Sequence, residues 1–274
     1  MLKKLGWRGM VYMRAVEKIY ENQYFDLDVN KKLFLSSIIN YFQDSFVKLS
    51  LDGESGKGIE YMNDKNLTWI IYRWQLKLYN YNYIRKEFKV VITPSAYKRS
   101  YLNVKFEMFS KNGEKVAEAF SLWILLDMKQ GRPYKGEDED ENIRKIFNLS
   151  IDENRIDTMK NTDVFRKIET IEDMYNEEIF NVGYGDIDTN KHANNSRYIS
   201  WIIEPIAKYL LEGYDIKEIK ISYRKPAKYG DMVRAVCSIE EEADSIKSFN
   251  KIMDKDDSIF AAAEILIENK YKAI

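Results

Sequence analysis

Laid over itself at an offset of 160 residues (Tyr24 onto Tyr184), the chain matches without a gap. Tyr24-Phe-Asp26-Leu-Asp28-Val-Asn30-Lys31-Lys32 falls on Tyr184-Gly-Asp186-Ile-Asp188-Thr-Asn190-Lys191-His192, and Ser36/Ser196 and Ile39/Ile199 extend the match. Tyrosine, both aspartates, asparagine and a lysine recur at one spacing, which implies two copies of one module. A chain of 274 residues has room for both. The fold must therefore be one that can be built twice. The copies differ at one telling place: the only histidine, His192, stands in the second, and Lys32 stands in the first.

The patterning after each motif is alike. Leu35, Ile38, Ile39, Phe42 and Phe46 fall on one face of a helix. Tyr198, Trp201, Ile202, Ile206, Tyr209 and Leu210 do the same in the second copy, with Asn194 or Asn195 as N-cap and a break expected near Pro205. Strand-like alternation follows at Ile70–Leu78 and Leu102–Met108, then at Ile219–Tyr223, Val233–Ile239, Ile246–Met253 and Ser258–Ile267. One long helix followed by antiparallel strands reads as an α+β module, the helix packed against a curved sheet. The expected division is a first module over 1–130, a charged linker over 131–174 and a second module over 175–274. The run Glu137–Glu141 in that linker reads as a solvated acidic stretch.

Composition removes several function classes. A net charge of −1 gives no electrostatic case for a nucleic-acid binder. A single cysteine, Cys237, excludes an intrachain disulfide framework and suits a reducing compartment. No signal-peptide apolar run follows the basic N-terminus and no stretch approaches a membrane span, so a soluble cytoplasmic protein is the expectation.

The Asp-x-Asp-x-Asn start resembles a calcium loop only superficially. Where that loop needs Gly and Glu, Lys191 and Arg197 stand in the second copy and Lys31 and Ser37 in the first. One His and one Cys do not make a zinc site. Ser196 and Ser200 lack a nucleophile-elbow context, and no glycine-rich phosphate loop occurs. What remains is Asp188, Asn190 and His192 in a loop feeding a helix N-terminus, where unpaired N–H groups and the positive end of the dipole suit an oxyanion. Asn190 can donate to a carbonyl, His192 can move a proton, and Asp188 can orient them or activate water. The bland alternative is that these residues cap the helix and tie down the loop. The first copy keeps Asp28 and Asn30 without a histidine, which favours a structural duty for the aspartate and asparagine.

The stretch Asp186-Ile-Asp188-Thr-Asn190-Lys-His192-Ala-Asn194-Asn195-Ser-Arg-Tyr198-Ile-Ser-Trp201-Ile-Ile-Glu204 resembles the signature of acyl-[acyl-carrier-protein] thioesterases, built from two hotdog folds in tandem. Asn40-Tyr-Phe-Gln43, Trp69, Arg73 and Trp123-Ile-Leu-Leu-Asp127 resemble the same family in the first half. The resemblance implies hydrolysis of a fatty acyl thioester carried on acyl carrier protein, with Asp188, Asn190 and His192 catalytic. It implies no cofactor of the protein's own, since phosphopantetheine arrives with the substrate. The first module would hold the acyl chain, with Ile38, Phe42, Trp74 and Trp123 as candidate lining, although such aromatics are commonly plain core. Arg224, Lys225 and Lys228 would receive the acidic carrier.

One departure stands out. Many family members carry a Glu after the catalytic helix, with a neighbouring Cys in the plant enzymes. Here Pro226 and Ala227 occupy those positions, and Cys237 lies further on in an expected strand. A cysteine-nucleophile scheme is therefore not available. Water attack assisted by His192 and Asp188, with Asn190 polarising the carbonyl, is the expected mechanism; direct attack by Asp188 to give an anhydride is the alternative. An acyl-CoA thioesterase on the same scaffold and a non-catalytic acyl-thioester sensor remain open. So does the choice between monomer and homodimer, because two modules in one chain can satisfy hotdog pairing internally.

Overall fold

The structure is a computed structural model in which residues 15–51, 58–80, 87–98, 100–134, 141–147, 168 and 176–269 are described. The first half runs β1 (Val16–Glu21), α1 (Leu35–Leu51), α2 (Gly58–Lys65), β2 (Leu67–Leu78), β3 (Glu87–Lys98), β4 (Tyr101–Ser110) and β5 (Lys115–Asp127). A two-residue strand β6 (Arg132–Pro133) pairs with β5, and α3 (Glu141–Phe147) follows. The second half runs β7 (Asn176–Asn181), α4 (Asn195–Ile203), α5 (Ala207–Leu211), β8 (Tyr214–Tyr223), β9 (Met232–Glu241), β10 (Ser245–Met253) and β11 (Ile259–Asn269).

All these strands join one antiparallel sheet in the order β1-β3-β4-β5-β2-β8-β11-β10-β9-β7. Read inward from either edge, each half presents its first, third, fourth, fifth and second strand. Equivalent strands β2 and β8 meet in the middle, with Arg73 opposite Ser222 and Lys77 opposite Glu218. An antiparallel pair of equivalent strands places a local twofold axis on that seam. Gln75 Nε2 crosses it to Glu218 Oε1 at 2.6 Å.

The alternation expected in β4 is realised as one packed face, whereas on β2 a register shift between Ile71 and Arg73 leaves Ile70 exposed and buries Ile71. Leu102, Val104, Phe106 and Met108 are buried while their neighbours on β4 are at least partly exposed. Against that face lies α1, burying Leu35, Ile38, Ile39, Phe42, Phe46 and Leu49. Phe42 packs on Trp74 and Phe106, and Phe46 stacks on Trp123 with ring centroids 3.9 Å apart. Each such side chain contributes roughly 1.5–3 kcal/mol on burial. α4 does the same in the second half through Tyr198, Ile199, Trp201 and Ile202. It stops at Ile203, and a 3-10 turn over Glu204–Ile206 separates it from α5, the break that Pro205 imposes by lacking a backbone donor. α1 and α4 touch each other across the seam.

Part of the expected linker is structured: α3 buries Ile143 and Ile146 in the common core and packs against α1. Much of the interval, including Glu137–Asp140 of the acidic run, lies outside the described residues. Among the described residues no helix is long and apolar enough to cross a membrane.

Candidate functional site

The repeated motif forms the same loop twice, between the first strand and the long helix of each half. A 3-10 turn (Tyr24–Asp26, Tyr184–Asp186) leads into an isolated bridge, Leu27 with Leu33 and Ile187 with Ala193. Lys31 and Lys191 both take the left-handed conformation, at φ 60° and 63°. The aspartates close the loop. Asp28 Oδ1 accepts from the backbone N–H of Asn30 and of Lys32, both at 2.8 Å. Asp188 Oδ1 accepts from Asn190 N at 2.8 Å and from His192 N at 3.4 Å. Asp26 and Asp186 each accept a backbone N–H three residues upstream, from Gln23 at 2.7 Å and Gly183 at 2.8 Å. The structural duty expected of these acids is thus present in both copies.

The side chains that the loops project are used differently. In the first copy Asn30 Nδ2 donates to the Leu210 carbonyl at 3.4 Å, and Lys32 forms a buried ion pair with Asp215 on β8. Both link the first loop to the second half. In the second copy Asn190 is exposed, His192 is half-buried, and neither side chain hydrogen-bonds a described residue. The same backbone therefore presents an amide and an imidazole free to meet a ligand.

The surroundings hold that loop in place. Asn194 caps α4, its Oδ1 accepting from Ser196 N and from the Ser196 hydroxyl, both at 3.0 Å. The Ser200 hydroxyl turns back to the Ser196 carbonyl. Both serines are thus engaged within the helix rather than aimed as nucleophiles. Arg197 pairs with Asp186 at 2.6 Å. Ala193 N donates to the Ala227 carbonyl at 2.8 Å, and Ala227 N donates to the Tyr198 hydroxyl at 2.7 Å. The segment expected to carry the family's Glu and Cys therefore lies directly against the histidine loop, but supplies an exposed Pro226 and a fully buried Ala227. Beyond it, Gly230 at φ +86° permits the tight turn into β9, closed by Asp231 N on the Lys228 carbonyl at 3.0 Å.

Burial drives the Tyr198 hydroxyl up to about 12, a trend the Ala227 N–H opposes and the nearby Asp231 and Asp188 charges reinforce. Burial likewise raises Cys237, which sits fully buried on β9 and is inert packing rather than a nucleophile. Ile38, Phe42, Trp74 and Trp123 are all buried on the packed face of the first half. Arg224, Lys225 and Lys228 are exposed near the histidine loop's partner segment, but Lys225 is paired with Asp254 at 3.2 Å and lies over the Phe260 ring. The contacts of two contributors escape the sequence reading. Tyr198 reads as an apolar helix position and as part of the family-like stretch, and Gln43 as part of Asn40-Tyr-Phe-Gln43. Neither reading foresees the contact of Tyr198 with Ala227 or that of Gln43, whose Oε1 accepts from Asn195 Nδ2 at 3.3 Å.

Comparison with known proteins covers the same ground from outside. The family described as the acyl-ACP thioesterase N-terminal domain matches residues 13–143, and the acyl-ACP thioesterase C-terminal domain matches residues 169–269. Oleoyl-acyl carrier protein thioesterase of Coriandrum sativum is 23% identical over 256 residues, covering 88% of this chain and 66% of the relative. An oleoyl-acyl carrier protein thioesterase of Arabidopsis thaliana is 23% identical over 79% of this chain and 60% of its own length. The chain thus spans somewhat less than two thirds of these relatives. Among solved structures, the 12:0-ACP thioesterase of Umbellularia californica superposes with a TM-score of 0.76 at 17% identity, covering 96% of this chain and all of the other. An acyl-ACP thioesterase of Bacteroides thetaiotaomicron gives 0.72 at 20% identity over 93% and 98%. At these identities the superpositions establish the fold alone. With both domain descriptions matched in order and most of the sequence accounted for, the chain belongs to the acyl-ACP thioesterase family.

Proposed function

We propose that the protein is a double-hotdog thioesterase that hydrolyses fatty acyl-[acyl-carrier-protein], one helix and its strands forming each module. The reading rests on one observation above all: two loops share a backbone, and only the second projects an unengaged Asn190 and His192. The imidazole of His192 can take a proton from water as it attacks the thioester carbonyl and return it to the departing thiolate. Asn190 donates to the carbonyl oxygen as charge builds there. Asp188, already fixed by two backbone N–H groups, keeps a second carboxylate oxygen for orienting the attacking water. Should that oxygen attack the acyl carbon itself, the C–S bond would break and the thiolate would leave with a proton. The Asp188 anhydride so formed would be hydrolysed by water to the free acid and the Asp188 carboxylate. With Pro226 and Ala227 in the neighbouring segment, the cycle uses no carboxylate or thiol from there.

The acyl chain would lie in the first module near Ile38, Phe42, Trp74 and Trp123. The phosphopantetheine arm arrives with the substrate, so the protein needs no cofactor of its own. The test is release of free fatty acid from a ladder of saturated acyl-carrier-protein substrates by the wild type and His192→Ala. Chain-length-selective release that collapses in the variant is expected. Binding of acyl thioesters without release would replace the hydrolase with a sensor.

A further inference from the structure

We infer that Gln43, on the first half's helix α1, donates a hydrogen bond to the carbonyl oxygen of the bound acyl thioester; the inference rests on the thioesterase reading above. Three observations carry it. The amide reaches across the seam to the first turn of α4, where Oε1 accepts from Asn195 Nδ2 at 3.3 Å. Asn195 follows His192 by three residues and is itself held, its carbonyl accepting from the Tyr223 hydroxyl at 3.1 Å. Gln43 Nε2 is sealed from solvent and has no acceptor among the described residues.

A shielded amide nitrogen without an acceptor is unfavourable, so the group calls for a partner. The repeat supplies an internal control. Position 203, the counterpart of Gln43 at the offset of 160, is Ile203, the last residue of α4. The amide therefore occurs in the first copy only, and it meets α4, the helix that the His192 loop feeds. The acceptor it fits is a carbonyl arriving between α1 and the His192 loop, which is the group the proposed reaction must polarise. In a water-poor site one preorganised donor aimed at a developing oxyanion acts strongly. Gln43 would join Asn190 in that task, so each half would contribute one amide to the reacting carbonyl.

Two variants separate this from packing. Gln43→Met keeps the length and removes the donor. Gln43→Glu keeps an acceptor for Asn195 and sets a negative charge where the donor was. On acyl-carrier-protein substrate, both should lower kcat by roughly 10²–10³-fold with little change in KM, the loss typical of one oxyanion donor. Thermal melting of Gln43→Met should be no lower than wild type. A ketone analogue of acyl-pantetheine, carbon-13 labelled at the carbonyl, should show its C=O stretch move to higher frequency in Gln43→Met as the hydrogen bond is lost. Undiminished kcat in both variants overturns the inference and leaves the hydrolase standing. If the wild type releases no fatty acid, the hydrolase fails and Gln43 is judged on the analogue alone: a frequency shift upholds the contact, and an unchanged frequency overturns it.

Discussion

Lys32 and Asp215 form a buried ion pair that ties the loop of the first copy to the start of β8 in the other half. Removing one partner strands a charge among buried neighbours, at a cost of about 3–5 kcal/mol. Lys32→Met should therefore be strongly destabilised in urea unfolding. Lys32→Met combined with Asp215→Leu should recover most of the loss, because neither charge is then desolvated alone. An unchanged midpoint for Lys32→Met would show that the pair contributes nothing to folding.

Asp28 and Asp188 make a matched pair of probes. Each carboxylate accepts two backbone N–H groups, so Asp28→Ala and Asp188→Ala should each lose about 1–2 kcal/mol. Their catalytic effects should diverge. Asp28→Ala should keep the wild-type turnover of its folded fraction, and Asp188→Ala should lose it. Asp188→Asn retains an oxygen for the same N–H groups and should fold almost normally while turning over slowly. Equal turnover in Asp188→Asn and wild type would confine Asp188 to its structural duty.

These loops were also the most legible part of the sequence. The offset of 160 holds in the structure down to individual hydrogen bonds, because a polar loop closed by its own side chains is encoded locally. The core faces of α1 and α4 and the alternation of β4 were readable for the same reason, and β2 and β8 to β11 were found as strands although each buries some neighbouring positions. β5 was harder, since its sequence from Trp123 to Leu126 is a continuous apolar run without alternation. β3 carries Pro94 at a register shift, and the edge strands β1 and β7 are short and largely polar. Gln43 and Tyr198 were hidden because their roles depend on partners far away in the chain, Asn195 and Ala227. No local spacing reports such a contact.

The Tyr198 hydroxyl gives the protein a pH dependence with a definite sign. Burial raises it from the ordinary 10.0 to about 12. The fold favours the neutral phenol, so this contribution is fully present below pH 10. It is lost as pH rises from there through about 12. Tyr198→Phe should remove that alkaline loss. It should also cost about 1–3 kcal/mol at neutral pH, since the buried Ala227 N–H loses its acceptor. Unfolding midpoints of both proteins between pH 7 and about pH 12 test this. Parallel curves would exclude Tyr198 as the titrating group.

Of the three basic residues expected to meet the carrier, Arg224 and Lys228 have no side-chain partner among the described residues, whereas Lys225 is held by Asp254. An acidic partner should therefore engage Arg224 and Lys228 first, and Lys225 only by displacing Asp254. Arg224→Glu and Lys228→Glu should each raise KM for acyl-carrier-protein several-fold, an effect that fades as added salt screens the charges. Lys225→Ala should change KM less. None of the three should alter KM for an acyl-pantetheine that lacks the carrier, because the thioester end of the substrate is the same. Equal effects on both substrates would place these residues at the pantetheine arm, and no effect on either would move the carrier to another face.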